Sequence, residues 1–275
     1  MALKLMYITN NPDIARIAEA AGVDRIFIDM EYIGKDARQG GMDTVQSHHT
    51  ISDVRRISEA VKTAEVLVRV NPIHEASRDY VSSKEEIDLA IEAGADILML
   101  PFFKTVDEVE YFIRYVNRRA RVMLLLETLE AEDVVDDILK LDGIDEMFIG
   151  LNDLSLGYGK KFMFELLTDG TVETLCLKFR QKKIPYGFGG IASLGKGMLS
   201  AEYVIREHYR LGSTCVILSR SFCKVDNMTD LKEVRTVFDK ELPKIRELEK
   251  ECEMYSRYFW ENRKEVEEKI KYICG

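Results

Sequence analysis

Two acidic residues stand at the ends of apolar runs, where a buried strand would leave the core. Glu127 ends the run VMLLLE, and Asp153 follows the next run in the segment GLNDLS. A buried carboxylate is costly unless a cation or a full set of hydrogen-bond donors compensates it. Two carboxylates that leave room for water and substrate oxygens suit a hard octahedral cation such as Mg²⁺ or Mn²⁺. The pair therefore predicts a divalent metal site formed by Glu127 and Asp153.

Each of these residues also has a structural interpretation that the sequence leaves open. Glu127 could pair with a nearby lysine or arginine, and Asp153 could be the N-cap of the helix that follows it. Arg69 ends a third run and could form an ion pair with Glu31 or Glu127. Because its charge is permanent, Arg69 also suits an oxyanion that develops beside a metal.

Eight short apolar runs, each followed by an amphipathic stretch, must position these side chains. Continuous apolar character is typical of parallel strands buried on both faces. Eight such strands with helices between them predict an α/β fold, the (β/α)8 or TIM barrel, over residues 1–227. In such barrels the chemistry lies at the carboxyl ends of the strands. The runs are 3–8, 25–30, 65–70, 96–101, 122–127, 146–150, 184–188 and 214–219.

Four predicted helix-to-strand junctions carry a glycine, in the segments AAGVD, EAGAD, LDGID and RLGST. A left-handed residue often ends a helix, and a residue without a Cβ adopts that conformation at little steric cost. We therefore predict C-caps at Gly22, Gly94, Gly143 and Gly212. The repeated junction supports the barrel.

Residues 228–275 form a predicted C-terminal helical extension. The segment is rich in Glu, Lys and Arg, and its apolar residues recur every three or four positions, with a possible helix restart near Pro243. A barrel needs only one helix here, so we expect part of the apolar stripe to pack on a neighbouring subunit of a homo-oligomer. The alternative is that the stripe folds back on its own barrel. The stripe consists of Leu231, Val234, Phe238, Leu242, Ile245, Leu248, Cys252, Tyr255 and Phe259.

The composition limits the partners of the protein. The 275-residue chain has a formal net charge of −9 and a pI of about 5.2, which argues against nucleic acid or an anionic membrane as the main partner. Its five cysteines contain no CxxC pair, so we expect reduced thiols. No apolar run approaches the roughly 20 residues that span a bilayer, and no secretory signal opens the chain. We expect a cytoplasmic protein.

At these residues the sequence resembles the HpcH/HpaI aldolase and citrate lyase family of the phosphoenolpyruvate/pyruvate barrel superfamily. The resemblance covers roughly residues 20–220. The paired motifs LxxET and GxNDLS are fairly specific, whereas the arginine of the third strand alone is not. The matching segments are GVDRIFIDMEY (22–32), VLVRVNP (66–72), GADILMLPFFKTVDEVE (94–110), LLLETLEA (124–131) and GIDEMFIGLNDLSLGYG (143–159).

The resemblance implies a divalent-metal-dependent carbon–carbon lyase of the aldolase type that acts on a pyruvate-like 2-oxo acid. Glu127 and Asp153 would be the metal ligands, and Arg69 would contact the enolate oxygen of the substrate. In such enzymes the metal chelates the carboxylate and keto oxygens of a pyruvate-like unit and stabilises the enolate. An acyl-CoA lyase of the malyl or citryl type is an alternative within this family, and a non-catalytic barrel that binds metal and ligand is another.

The sequence departs from the family after the second strand. Where the aldolase branch has Glu-His, this chain has Glu31-Tyr32, and a tyrosine is a poorer base near neutral pH. The long polar segment 34–50 could supply the missing acid or base through His48 or His49. Ordinary polarity before a helix is the alternative interpretation of both histidines. Glu31, Tyr32, His48 and His49 therefore remain candidates for proton transfer.

Further polar or glycine residues at the predicted strand ends are candidates for substrate binding. Lys35 and Arg38 could bind an anionic group, or they could be solvated surface charges. Glycines after the seventh strand would let a phosphate approach the backbone, although tight packing explains them equally. The candidate substrate-binding residues are Arg69, Lys35, Arg38, Asn152, Gly189, Gly190 and Arg220.

Overall fold

The computed structural model of the chain describes residues 2–35, 47–223, 230–254 and 257–275. Eight strands form a closed barrel in chain order, and every neighbouring pair is parallel, including the pair β1 and β8. Each predicted apolar run overlaps one of these strands, so the predicted (β/α)8 barrel is confirmed. The strands are β1 (Lys4–Ile8), β2 (Arg25–Asp29), β3 (Glu65–Arg69), β4 (Ile97–Leu100), β5 (Arg121–Leu126), β6 (Glu146–Ile149), β7 (Tyr186–Ile191) and β8 (Cys215–Leu218).

Helices follow the strands, and side chains at their first residues help to start them. Asn11, Ser82, Thr105 and Thr128 each accept a hydrogen bond from a backbone N–H of the first helical turn. The helices are α1 (Pro12–Ala20), α2 (Ile51–Ala60), α3 (Ser83–Glu92), α4 (Val106–Val116), α5 (Leu129–Asp133), α6 (Val135–Ile138), α7 (Leu151–Gly157), α8 (Thr171–Gln181), α9 (Ala201–Leu211), α10 (Leu231–Met254) and α11 (Tyr258–Cys274), with a 3-10 helix at Met163–Leu167.

Apolar side chains fill the middle of the barrel, and charged side chains lie at its two ends. On β2 the inward-facing Phe27 lies between Arg25 and Asp29, because residues two apart share one face of a strand. β3 repeats the pattern with Glu65, Leu67 and Arg69. The apolar interior consists of Met6, Phe27, Leu67, Ile97, Met99, Met123, Leu125, Phe148 and Cys215.

The amino-terminal end of the barrel is closed by an ion-pair network around Arg25. This fully buried guanidinium donates to both Glu146 oxygens at 2.8 and 2.6 Å and to Glu65 at 2.9 Å. Burial alone would lower the pKa of Arg25, but the carboxylate of Glu146 raises it above its ordinary value. The network lies at the end of the barrel that usually serves stability, whereas the residues at the other end form the candidate site.

The four predicted C-cap glycines all have positive φ angles, between 76° and 104°. Gly94 shows why a larger residue does not fit. A Cβ there would lie 2.6 Å from the Ser58 Oγ, and the φ of 104° is one that L-residues rarely adopt. Gly22 and Gly94 directly follow the C-caps of α1 and α3, and Gly212 is itself the C-cap of α9. Gly143 lies five residues after the end of α6, so the prediction that it caps a helix is wrong.

The C-terminal region departs from the sequence expectation at Pro243. α10 continues through this residue without a restart. In the described part of the chain, the stripe residues from Val234 to Cys252 are buried within the same chain, whereas Leu231 is 41% exposed. Phe238, for example, meets the ring of Tyr7 edge-on at 5.0 Å and that of Phe222 at 5.3 Å.

α10 acts as the eighth outer helix of the barrel and is fastened to the start of β1. Glu249 accepts a hydrogen bond from the Leu3 N–H, and Arg246 donates to the Leu3 carbonyl, both at 2.8 Å. α11 packs on α9, where Asn262 donates to the buried Glu207 at 2.9 Å. A homo-oligomer with subunit contacts through these helices stays a prediction, and the domain boundary at 227 lies outside the described residues.

Two further expectations concern membranes and thiols. No helix in the described parts of the chain combines the length and apolar character needed to cross a membrane. All five cysteines are free thiols, and all but Cys274 are buried. The expected reduced state agrees with this arrangement.

Candidate functional site

Asp29 and Arg69 lie side by side where β2 and β3 end. The two residues are register partners, so the strand pairing itself brings their side chains together. Arg69 donates from Nε and Nη2 to the two Asp29 oxygens, each at 2.8 Å. Such a bidentate pair fixes the plane of the guanidinium as well as its position. Arg69 therefore has one defined orientation at the carboxyl end of the barrel.

Two more charges complete this arrangement. Lys35 Nζ lies 2.7 Å from an Asp29 oxygen and 3.6 Å from a Glu31 oxygen, and the same Glu31 oxygen lies 3.2 Å from Arg69 Nη1. The side chains of Asp29, Glu31 and Lys35 are at most 5% exposed. We call Asp29, Glu31, Lys35 and Arg69 the charge ring. Its two negative and two positive charges sum to zero, which reduces the cost of burying them.

The contacts of the charge ring keep Asp29 and Arg69 ionised. Burial alone would raise the pKa of Asp29, but Arg69 and Lys35 hold it well below its ordinary value of 3.8. Burial would lower the pKa of Arg69, and the carboxylates of Asp29, Glu31 and Glu127 raise it instead.

The strand pairing of β5 and β6 positions Glu127. Leu126 is paired with Ile149, so the next residues, Glu127 and Gly150, face each other. A Cβ on Gly150 would lie 2.6 Å from Glu127 Oε2, and the other carboxylate oxygen accepts the Phe102 N–H at 3.0 Å. Glycine is therefore required at this position for the carboxylate to lie where it does.

Asp153 lies in the first turn of α7, and it is 9% exposed. The N-cap of α7 is Gly150, so the alternative interpretation of Asp153 as the helix cap is wrong. Because α7 starts where Glu127 packs, the two carboxylates follow neighbouring strands at the same end of the barrel.

Tyr32 lies against the histidines of the next segment. Its hydroxyl donates a hydrogen bond to the His49 carbonyl, and its ring stacks on His48 at 5.9 Å between centroids. Burial and the negative charge of Asp29 raise the pKa of Tyr32 to about 12. A phenol with a raised pKa that already donates its proton to a carbonyl is a poor general base at neutral pH.

His49 is the buried member of the histidine pair, whereas His48 is exposed. His49 Nδ1 accepts the backbone N–H of Asp29 at 3.1 Å, so the neutral ring carries its proton on Nε2. Burial lowers the pKa of His49, which favours this neutral form. His49 thus contacts the charge ring directly, whereas His48 does not. Arg38 lies outside the described residues.

The remaining candidates for substrate binding are not brought together with the charge ring. Asn152 and Arg220 are exposed, and Asn152 is the second residue of α7. Gly189 and Gly190 lie within β7 rather than in the loop after it. A Cβ on Gly189 would lie 2.7 Å from Leu151, so packing against the protein explains that glycine.

Two residues that organise the site were missed as functional residues. Asn71 accepts hydrogen bonds from the backbone N–H groups of Tyr32 and Ile33 at 2.8 and 2.9 Å, and it donates to Glu86 at 2.8 Å. Burial raises the pKa of Glu86. Asn71 therefore holds the segment that carries Lys35. Its position two residues after Arg69 was the only sequence signal, whereas Glu86 lies in an ordinary amphipathic helix.

The donor set fits a divalent hard cation. The charge ring sums to zero, so Glu127 and Asp153 add two negative charges that one divalent cation balances. In the described part of the chain, no three His, Cys, Asp or Glu side chains converge as a metal-binding group. Two carboxylates nevertheless suffice for Mg²⁺, because this ion keeps several waters and commonly takes its other ligands from the substrate.

Known proteins resemble this chain in sequence and in fold. A 4-hydroxy-2-oxovalerate aldolase from Novosphingobium aromaticivorans is 27% identical over 177 residues, which are 54% of this chain and 60% of that protein. The chain thus spans less than two thirds of this curated relative.

Two solved structures show the same fold. An HpcH/HpaI aldolase from Desulfitobacterium hafniense DCB-2 has a TM-score of 0.63 at 16% identity, over 86% of this chain and 92% of that one. An HpcH/HpaI aldolase/citrate lyase family protein from Burkholderia cenocepacia J2315 has a TM-score of 0.59 at 18% identity, over 85% and 95%.

A sequence comparison at the level of families confirms the resemblance that the motifs indicated. The matched region, residues 4–165, contains the whole charge ring and both Glu127 and Asp153. The chain belongs to the HpcH/HpaI aldolase/citrate lyase family.

Proposed function

We propose that the protein is a divalent-metal-dependent carbon–carbon lyase of the aldolase type that acts on a pyruvate-like 2-oxo acid. The observation that carries the proposal is the fixed orientation of Arg69. Asp29 and Glu31 hold its guanidinium at the end of the barrel where such folds perform chemistry, which is also the end at which Glu127 follows β5. Family membership and a relative that is a 4-hydroxy-2-oxovalerate aldolase support the same reaction class.

Glu127 and Asp153 are the residues that would hold the metal. A bound Mg²⁺ or Mn²⁺ would act as a Lewis acid that polarises the keto group of the substrate. Gly150 leaves the space in which Glu127 lies, and the Phe102 N–H orients its second oxygen. The protein thus presents two oxygen donors and leaves the remaining metal positions to water and substrate.

Arg69 is suited to stabilise the oxygen on which negative charge develops when the carbon–carbon bond breaks. A guanidinium has five N–H donors. Among the described residues Asp29 takes two of them, and Glu31 lies 3.2 Å from Nη1. At least two donors therefore remain for a substrate, and 15% of the side chain is exposed. A prepositioned donor needs no reorganisation during the reaction, which is how such groups lower a barrier.

The test is deuterium exchange into the methyl group of pyruvate, followed by proton NMR in deuterated buffer with Mg²⁺. Exchange reports enolate formation without knowledge of the second substrate. We expect metal-dependent exchange by the wild type, and a loss on the order of a thousandfold in Glu127→Gln, since a metal supplies several kcal/mol of charge stabilisation.

Glu130→Gln is the matched control, because Glu130 lies on the neighbouring α5 and forms a largely exposed ion pair with Lys104. Its exchange rate should equal that of the wild type. Equal rates for Glu127→Gln and the wild type would remove the metal site from the mechanism. Absence of exchange in the wild type, with Mn²⁺ bound, would contradict the proposed reaction on pyruvate.

A further inference from the structure

The charge ring contains a second cation, Lys35, in addition to the Asp29–Arg69 ion pair. Asp29 and Glu31 are both buried acids and Arg69 contacts both of them, so without Lys35 the ring would hold two negative charges against one positive charge. Lys35 Nζ contacts both acids, at 2.7 and 3.6 Å, and its side chain is 5% exposed. A lysine side chain is rarely buried unless its ammonium group is paired with a carboxylate. The burial of Lys35 is therefore explained by its two ion pairs.

Because the charge ring lies at the candidate site, the positive charge of Lys35 also affects the net charge of that site. Arg69 belongs to the charge ring, and Glu127 and Asp153, which follow β5 and β6 at the same end of the barrel, contribute two negative charges there. Removal of the Lys35 charge would make the net charge of the ring and the two carboxylates one unit more negative. A more negative site attracts a cation more strongly and repels an anion, and low solvent exposure limits the screening of both effects.

We propose that Lys35 is a positioning residue that balances the charge of the ring, so that Arg69 and the Glu127–Asp153 pair can accept an anionic substrate together with a divalent cation. Lys35 acts through Glu31 and Asp29 and does not contact the substrate itself. This inference rests on the proposed function and deepens it. It replaces the prediction from the sequence that Lys35 binds the substrate directly.

The proposal makes opposite predictions for the two ligands of the site. In Lys35→Met, which keeps the length of the stem, pyruvate should bind roughly tenfold or more weakly in the presence of Mg²⁺. Mn²⁺ alone should bind as tightly as to the wild type, or a few-fold more tightly. A residue with a merely structural role would weaken both ligands, so the opposite signs separate the two explanations.

A second variant keeps the proposal testable if Lys35→Met folds poorly. The double variant Lys35→Met/Glu31→Gln removes one charge of each sign and restores a neutral ring. Pyruvate binding should then return toward the wild-type value. Lys140→Met is the matched surface control, since Lys140 is 66% exposed in its pair with Asp137. It should leave both affinities unchanged.

The experiment measures Mn²⁺ binding by the paramagnetic resonance signal of the free ion, and pyruvate binding by calorimetry with Mg²⁺. Weaker pyruvate, unweakened Mn²⁺ and recovery in the double variant support the proposal. Unchanged pyruvate binding in Lys35→Met overturns it, and so does a loss of both ligands that the double variant fails to restore. If the wild type binds no Mn²⁺, the proposed function itself is wrong, and the inference falls with it.

Discussion

Asp29 and Arg69 end two neighbouring strands as register partners, and each oxygen of the Asp29 carboxylate receives one N–H of the guanidinium at 2.8 Å. The Asp29–Arg69 pair therefore depends on the parallel pairing of β2 and β3 and on no loop. Both strands are hydrogen-bonded to neighbours on each side, so the backbone positions of the two residues are fixed. A preorganised cation of this kind suits a charge that develops during a reaction.

Removal of the Asp29 charge should damage both stability and activity. In Asp29→Asn, Arg69 and Lys35 lose one of the two carboxylates that they share, and a broken buried pair typically costs about 3–5 kcal/mol in the free energy of unfolding. Exchange of pyruvate protons should fall by more than about tenfold, because the guanidinium loses its fixed plane. Urea unfolding and NMR check the two effects. Asp13→Asn is the control, since the Asp13–Arg16 pair is exposed. Wild-type stability of Asp29→Asn would contradict the clamp.

The same carboxyl group predicts a pH dependence. The pKa of Asp29 in the folded protein lies below its ordinary value of 3.8, so its stabilising contribution is complete above that value. The contribution is lost as the pH falls below 3.8 toward the lower folded pKa. The difference in unfolding free energy between the wild type and Asp29→Asn should therefore shrink from about pH 5 to pH 3. A difference that stays constant over this range would show that Asp29 does not titrate as described.

Tyr32→Phe should retain most of the enzymatic exchange. The Tyr32 hydroxyl donates to the His49 carbonyl and has a pKa raised to about 12, so it stays protonated at neutral pH. We expect an exchange rate within about tenfold of the wild type and a stability loss of about 1 kcal/mol from the missing hydrogen bond. The measurement is the exchange rate as a function of pH. A loss of a hundredfold or more would identify Tyr32 as the acid or base instead.

Gly150→Ala should weaken metal binding without unfolding the barrel. The added Cβ would lie 2.6 Å from Glu127 Oε2, so the carboxylate must move, whereas the backbone of Gly150 has a negative φ that alanine adopts. Displacement of one ligand should reduce Mn²⁺ affinity by roughly 10–100-fold. Gly157→Ala is the control on the same helix, because its nearest contact is a Leu129 side chain at 3.2 Å that can shift. Equal Mn²⁺ affinities in both variants would exclude Glu127 as a ligand.

Arg25→Met should lower stability without changing activity, because Arg25 lies at the end of the barrel opposite the candidate site. The substitution leaves Glu146 buried without its bidentate partner, which should lower the free energy of unfolding by about 3–5 kcal/mol. The candidate site lies at the opposite end, so pyruvate exchange per folded molecule should be unchanged. Denaturant unfolding and NMR exchange measure the two quantities. Arg16→Met, at an exposed pair, should change stability by less than about 0.5 kcal/mol.

The strands, and the placement of Glu127 and Asp153 at one end of the barrel, could be predicted because both leave a local mark in the sequence. Each buried parallel strand is a continuous apolar run, and Glu127 is the last residue of one such run. The motif around Asp153 added the second carboxylate. All strands of the barrel are parallel, so residues that directly follow two of them lie at the same end of the barrel. Their positions in the sequence were therefore enough to place both carboxylates at that end.

The charge ring could not be predicted in the same way, because it depends on contacts across strands and loops. Lys35 reads as an ordinary polar loop residue, and only the fold shows that its side chain is buried against two acids. Asp29 stands at a predicted strand end, but only the register that pairs it with Arg69 gives it a role. The packing of the C-terminal helices could not be predicted for a related reason. Periodicity shows that a face is apolar, but it does not show which surface covers that face.

Phe238→Ala tests which surface covers α10. Phe238 is fully buried between Tyr7 and Phe222 of the same chain, so its truncation should lower the free energy of unfolding by about 3–5 kcal/mol. Leu231→Ala on the same helix is the control, because Leu231 is 41% exposed and should cost less than about 1 kcal/mol. Urea unfolding at several protein concentrations is the measurement. A cost that appears only at concentrations where the chain self-associates would mean that α10 is covered by another subunit, because contacts within one chain are independent of concentration.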